Sequence, residues 1–171
     1  MDIKKVYNVN VYIDGTTNAI GKGSEVTLPD VATETESHRA LGMFSAVELP
    51  TGLAAMVTKI KWAGFYPEVL KFRANPFASH RLQLRGTLET HTSGGRTGQQ
   101  PFIVSLTCAW KKAPLGGFKP GAGQDVEDEL TTTYIKVQVA GQDVVEIDVL
   151  NNIWIVDGVD VLEQYRQNLG G

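Results

Sequence analysis

Residues 130–171 read LTTTYIKVQVAGQDVVEIDVLNNIWIVDGVDVLEQYRQNLGG. Period-two alternation places Thr133, Ile135, Val137 and Val139 on one face of a strand, with Tyr134, Lys136 and Gln138 on the other. Ala140-Gly141-Gln142 is a turn, and the return strand from Asp143 to Val149 sends Val145, Ile147 and Val149 inward and Glu146 and Asp148 outward. The pair is therefore a hairpin with one apolar and one wet face. A short apolar run, Ile153 to Val156, leads through Gly158 to a closing helix. Asp160 is its expected N-cap, Glu163 completes a capping box, and Gly170 is the stop.

Working outward, Val6 to Ile13 is a strand broken at Asp14-Gly15, and Ser24 to Leu28 is another, stopped by Pro29. Residues 33–38 carry polar side chains on both alternating faces, so this segment cannot cross a core and should project or line a wet surface. Arg39 to Met43 is a bend and Phe44 to Leu49 resumes the strand. Pro50-Thr51-Gly52 is a turn, and Leu53 to Trp62 returns with Met56, Ile60 and Trp62 on one face. Residues 31–62 thus read as a long β excursion, a projecting arm lying partly outside the core. Pro67 opens a short helix to about Arg73, stopped by Pro76. Strands follow at Arg81–Glu89 and Phe102–Lys111, while His91–Gln100 and Ala113–Asp128 read as glycine-rich loops. The expectation is a single, mainly β domain over residues 1–171: a sandwich or barrel of about seven strands with two short helices.

Composition narrows the function classes. A chain of 171 residues buries about 70% of its extended surface as one domain. One cysteine, Cys108, excludes an internal disulfide framework, and no 18-residue apolar run or signal-type leader occurs. Neither export by a signal peptide nor a membrane anchor is expected. Residues 1–120 hold 14 Lys+Arg against 9 Asp+Glu, whereas residues 121–171 hold 2 against 10. Such polarity suits either simple solvation or a head-to-tail contact between unlike patches.

The chemical candidates are weak. His38, His80 and His91 lack metal-ligand spacing, and Cys108 falls on the apolar side of its strand, as a small buried hydrophobe would. Gly94-Gly95-Arg96-Thr97-Gly98 lacks the Lys-Ser/Thr ending of a phosphate loop, and no nucleophile elbow occurs. Glu146 and Asp148 share a strand face, but nothing marks an apolar pocket that would raise one of them for acid catalysis. Lys59, Lys61, Arg81, Arg85, Lys111 and Lys112 are not interleaved with exposed aromatics, and the pI of about 5.6 opposes phosphate binding. Neither an enzyme nor a cofactor is expected.

The order Thr131-Thr132-Thr133-Tyr134, Gly141, Val145-Glu146-Ile147-Asp148, Asn151-Asn152, Gly158-Val159-Asp160, Leu162 and Leu169-Gly170 resembles the C-terminal half of the major tail tube protein of contractile-tailed phages, a family shared with R-type pyocin tubes. Asn8 to Gly15, Thr27-Leu28-Pro29 and Glu36 to Met43 fit its N-terminal part, with Leu41 standing where a small residue is expected. The resemblance implies hexameric rings that stack into a tube inside a contractile sheath, assembled in the host bacterial cytoplasm and carried in the virion. It further implies a tape measure protein in the lumen, a baseplate tube-initiator as partner, and DNA passing without specific binding. A channel that conducts polyphosphate should be neutral or acidic. Glu34 and Glu36 are the channel candidates, with the face of Glu146 and Asp148 as rival. Arg39, Leu41, Met43, Phe44, Leu49 and Leu53 are the ring-stacking candidates. The alternative is a soluble β-sandwich that binds a small ligand or carbohydrate in its loops.

Overall fold

The computed structural model describes residues 1–170. The strands run β1 (Ile3–Ile13), β2 (Thr17–Asn18), β3 (Gly23–Thr27), β4 (Thr33–His38), β5 (Val47–Leu53) and β6 (Met56–Trp62), followed by helix α1 (Pro67–Arg73). Then come β7 (Ser79–Thr92), β8 (Gly95–Lys112), β9 (Val126–Val139), β10 (Gln142–Asp148), β11 (Ile153–Val156), β12 (Val159–Asp160) and helix α2 (Glu163–Asn168). The chain is mainly β with two short helices, as expected. Twelve strands replace the anticipated seven, partly because β2 and β12 are two-residue pairings too short to leave a periodic signal.

β9 organises the architecture. One edge pairs with β8 for most of its length; the other pairs with β6 over residues 126–132 and with β10 over residues 134–139. The partner changes at a β-bulge: Thr107 faces Tyr134 and Cys108 faces Thr132, which leaves Thr133 extra. Inward positions therefore switch phase, from Val126, Asp128, Leu130 and Thr132 to Ile135 and Val137. Thr133 is thus the bulge and not a core-facing residue. The ten-stranded sheet runs β12-β11-β10-β9-β8-β7-β1-β2, with β6 and β3 branching from β9, and it does not close into a barrel.

Between the branch and the main sheet sits the core. Met56, Ile60 and Trp62 of β6 and Val69 of α1 meet Val11, Ile13, Leu82, Leu84, Val104, Leu106 and Cys108. Burial pushes the Cys108 thiol up to about 12, so it packs as a small hydrophobe with no thiolate character. Val145 is half-buried and Ile147 is buried, as the alternation requires, but Val149 is 45% exposed because β10 ends at Asp148.

Several boundaries move. β7 and β8 pair out to Thr92 and Gly95, so of residues 91–100 only Ser93 and Gly94 form a turn and the rest is strand. Pairing with a partner strand overrides their Gly/Ser/Thr composition. Glu89 reinforces this hairpin, accepting from Arg96 Nη1 at 2.8 Å, Gln99 Nε2 at 3.0 Å and His91 Nε2 at 3.1 Å; chiefly the Arg96 bond holds its carboxyl below the usual range. The second expected loop ends earlier, because β9 begins at Val126. α1 starts at Pro67 and ends at Arg73, as read. Asp160 is not the N-cap of α2. It lies in β12, accepts the Leu162 N–H at 3.0 Å and pairs with Arg166, while Leu162 occupies the N-cap without a side-chain bond. Gly170 does terminate the helix, at φ +86°.

The turn between β9 and β10 holds Ala140 at φ +52° and Gly141 at φ +81°. Left-handed backbone costs a residue with a Cβ roughly 1–2 kcal/mol, and asparagine tolerates it better. Ala140→Asn is expected to raise stability by about 0.5–1 kcal/mol, read as a higher urea midpoint at unchanged slope; a lower midpoint contradicts the turn assignment.

Candidate assembly surfaces

Two surfaces stand out once the core is set aside. The first is the main sheet's outer face, where side chains fall into rows fixed by strand register. Tyr12, Gln83, Ser105, Lys136 and Glu146 stand opposite one another across five strands, and Arg81, Thr107, Tyr134 and Asp148 form a neighbouring row. Lys136 Nζ lies 2.6 Å from Asp143 and 3.6 Å from Glu146, and the Tyr134 hydroxyl donates to Glu146 at 2.9 Å. Burial, then the Glu146 bond, pushes the Tyr134 phenol up to about 12. Arg85 stacks 5.6 Å from the Tyr12 ring centroid. Glu146 and Asp148 are thus brought together on a polar wall whose cations (Arg81, Arg85, Lys136) balance its anions (Asp143, Glu146, Asp148).

The second surface is the arm. β4 and β5 form a separate two-stranded sheet, with every residue of β4 and all of β5 but Leu53 exposed. Pro50-Thr51-Gly52 is not a turn: Pro50 faces Thr35 and Gly52 faces Glu34 across a bulge, where an edge strand accepts proline. The bend falls at residues 39–46, and the strand after it starts at Val47 in place of Phe44. Backbone pairing of Ala54 N–H to Ala32 C=O at 2.8 Å closes the base. β6 belongs to the core, with Met56, Thr58, Ile60 and Trp62 all buried, so the arm is residues 33–53 and not 31–62.

Arg39, Leu41, Met43 and Phe44 are gathered at the tip, where Leu41 and Phe44 are 105% and 99% exposed. Leu49 lies along the hairpin opposite Glu36, also exposed. Leu53 is separated from these; it packs half-buried against the core at the arm's base, beside a groove of about 400 Å³ lined by Ile147, Trp154 and Tyr165. Glu34 and Glu36 sit on β4, in a sheet separate from the one that carries the wall.

Behind both surfaces lies a buried polar hub that periodicity does not reveal. Asp128, 0% exposed, receives Trp62 Nε1 at 2.8 Å, Trp110 Nε1 at 2.9 Å, Arg73 Nε at 2.7 Å and Arg73 Nη2 at 2.8 Å. Arg73 Nη2 also donates to the Pro114 carbonyl at 2.7 Å, tying the segment after β8 to α1. Among the described residues no cluster of His, Cys, Asp or Glu could hold a metal ion. A groove of about 680 Å³ between β1 and β3 has Phe102 as its single aromatic, and one of about 780 Å³ on the outer face has Tyr134 alone, which gives a sugar ring little to stack on.

Comparison with known proteins decides among these readings. The family described as phage tail tube protein FII matches residues 3–170. The chain belongs to this family. It is 27% identical to the tail tube protein of Escherichia phage P2 over 98% of this chain and 97% of that one. It is 30% identical to the major tail tube protein of Serratia phage KSP20, covering 91% and 88% of the two chains. A solved cryo-EM structure of an extracellular contractile injection system, the PVC sheath–tube complex in its extended state, shares the fold at TM-score 0.53 and 14% identity, covering 78% of this chain and 90% of that one. As a tail tube family member, the chain is a structural subunit of a virion tail and not an enzyme, and the ligand-binding alternative is not favoured.

Proposed function

We propose that six copies of this chain close into a ring and that rings stack into a hollow tube inside a contractile sheath. The tail tube family match over nearly the whole chain carries this reading. Supporting it, β3, β12 and most of β1 leave unpaired edges, and an edge strand that is not blunted is a template for a neighbouring chain. The outer face of the main sheet then forms the channel wall, with Glu146 and Asp148 lining it in preference to Glu34 and Glu36. Its balanced charge lets DNA pass without sticking, since net basic walls bind phosphate by counterion release. A tape measure protein fills the lumen during assembly, a baseplate initiator seeds the first ring, and sheath contraction drives the tube through the bacterial envelope.

The test is direct. Purified chain at rising concentration is expected to form hollow tubes of uniform width in negative-stain micrographs. A sample that sediments as a monomer at every concentration overturns the proposal.

A further inference from the structure

We infer that the arm of one copy docks on the lysine-bearing end of β8 and the segment that follows it in the next copy along the tube, an inference that rests on the stacked-ring reading. Lys111 and Lys112 end β8, and Lys119 lies in the connection to β9 with Asp125 as its acid, so residues 111–125 are net +2; Lys112 stands opposite Glu129 across the β8–β9 pairing. None of these lysines makes an ion pair among the described residues, and Leu115 and Phe118 beside them are 67% and 80% exposed.

The arm is the mirror of this patch. Residues 33–53 carry Glu34, Glu36 and Glu48 against Arg39, net −2, with those three carboxylates also unpaired and Leu41 and Phe44 presented at the tip. Most of the chain's other acids are neutralised internally: Asp128 by Arg73, Glu127 by Lys59 and Lys61, Asp143 and Glu146 by Lys136, Asp160 by Arg166. The three arm carboxylates and the three lysines are therefore free to pair with another copy.

The two patches join the core at different ends of β6. The arm springs from the Met56 end of β6, whereas Trp62 at the other end pairs with Val126, where the lysine segment enters β9. Six strand steps at about 3.3 Å separate the two ends by roughly 20 Å. Unlike patches at opposite ends of one subunit make a heterologous contact, which propagates without closing and so suits stacking. Charge complementarity sets its register and apolar side chains supply the desolvated centre.

Charge exchange tests the pairing. Reversing Lys111 and Lys119 to Glu, or Glu34, Glu36 and Glu48 to Lys, gives like charges across the contact, and pelletable tube is expected to fall at least ~10-fold in either variant while circular dichroism stays unchanged; Lys112, opposite Glu129 within the subunit, is left in place. The chain carrying all five reversals is complementary again and is expected to regain tubes. The milder Lys→Gln pair, which removes only charge, raises the concentration at which tubes appear. Tubes forming normally from the lysine-reversed chain, or the five-fold variant failing to recover when both parent variants are defective, overturns the pairing. Absence of tubes from the natural chain in the same experiment defeats the stacked-ring reading itself.

Discussion

Asp128→Leu is expected to leave no cooperatively folded protein. The carboxylate accepts four hydrogen bonds inside the core, and its removal strands a guanidinium that is only 4% exposed together with two indole N–H groups. An uncompensated buried charge costs about 3–5 kcal/mol, and each stranded donor about 1–3 kcal/mol. The sum rivals the roughly 5–15 kcal/mol that holds a domain of this kind together. Urea unfolding followed by tryptophan fluorescence reads the effect, since Trp62 and Trp110 report from the hub itself. Pairing the change with Arg73→Met removes the stranded charge and should recover part of the loss. A single variant that unfolds with the natural midpoint would mean the hub is not integral to the core.

Deleting residues 34–52 and joining Thr33 to Leu53 through two glycines is expected to spare the fold and abolish tubes. Thr33 and Leu53 are directly paired, so the cut falls where the chain already comes together. Every residue removed but the half-buried Met43 is exposed, and little buried apolar area goes with them. In a hexameric ring the effect on stacking multiplies: about 2 kcal/mol per arm becomes about 12 kcal/mol over six arms, the difference between nanomolar association and none. Sedimentation should show monomers or single rings with an unchanged urea midpoint. Tubes of normal length from this variant would remove the arm from the stacking contact.

Much of this architecture is legible in the residues. Alternation through Ile135, Val137 and Ile147 locates the hairpin and its inner face, and Pro67 with Pro76 brackets α1. What escapes has physical causes. The three consecutive threonines at 131–133 suit either face of a strand, so the extra residue that switches β9 between partners leaves no mark in hydrophobicity. Asp128 falls on an inward position, which local reading scores as an exposed loop acid; only Arg73, Trp62 and Trp110, brought from other elements, make its burial tolerable. The Glu89 hairpin looks like a loop because its composition is small and polar, whereas its order comes from cross-strand bonds to Arg96 and Gln99. Among the surfaces, the polar arm is recognisable from two wet faces in succession, but its length is not, since Leu53 and Met56 look alike until one packs at the base and the other in the core.

The arm's construction bears on when polymerisation begins. Two strands with neither face nor edge covered are marginal on their own, so on the proposed stacking an isolated subunit would present its arm as a frayed ensemble. Fixing that ensemble costs conformational entropy at each encounter, which a lone pair of subunits recovers poorly and a completed ring recovers six times over. Elongation from a preformed end is thereby favoured over spontaneous initiation, and a cell can accumulate the subunit without filling with filaments before a template exists.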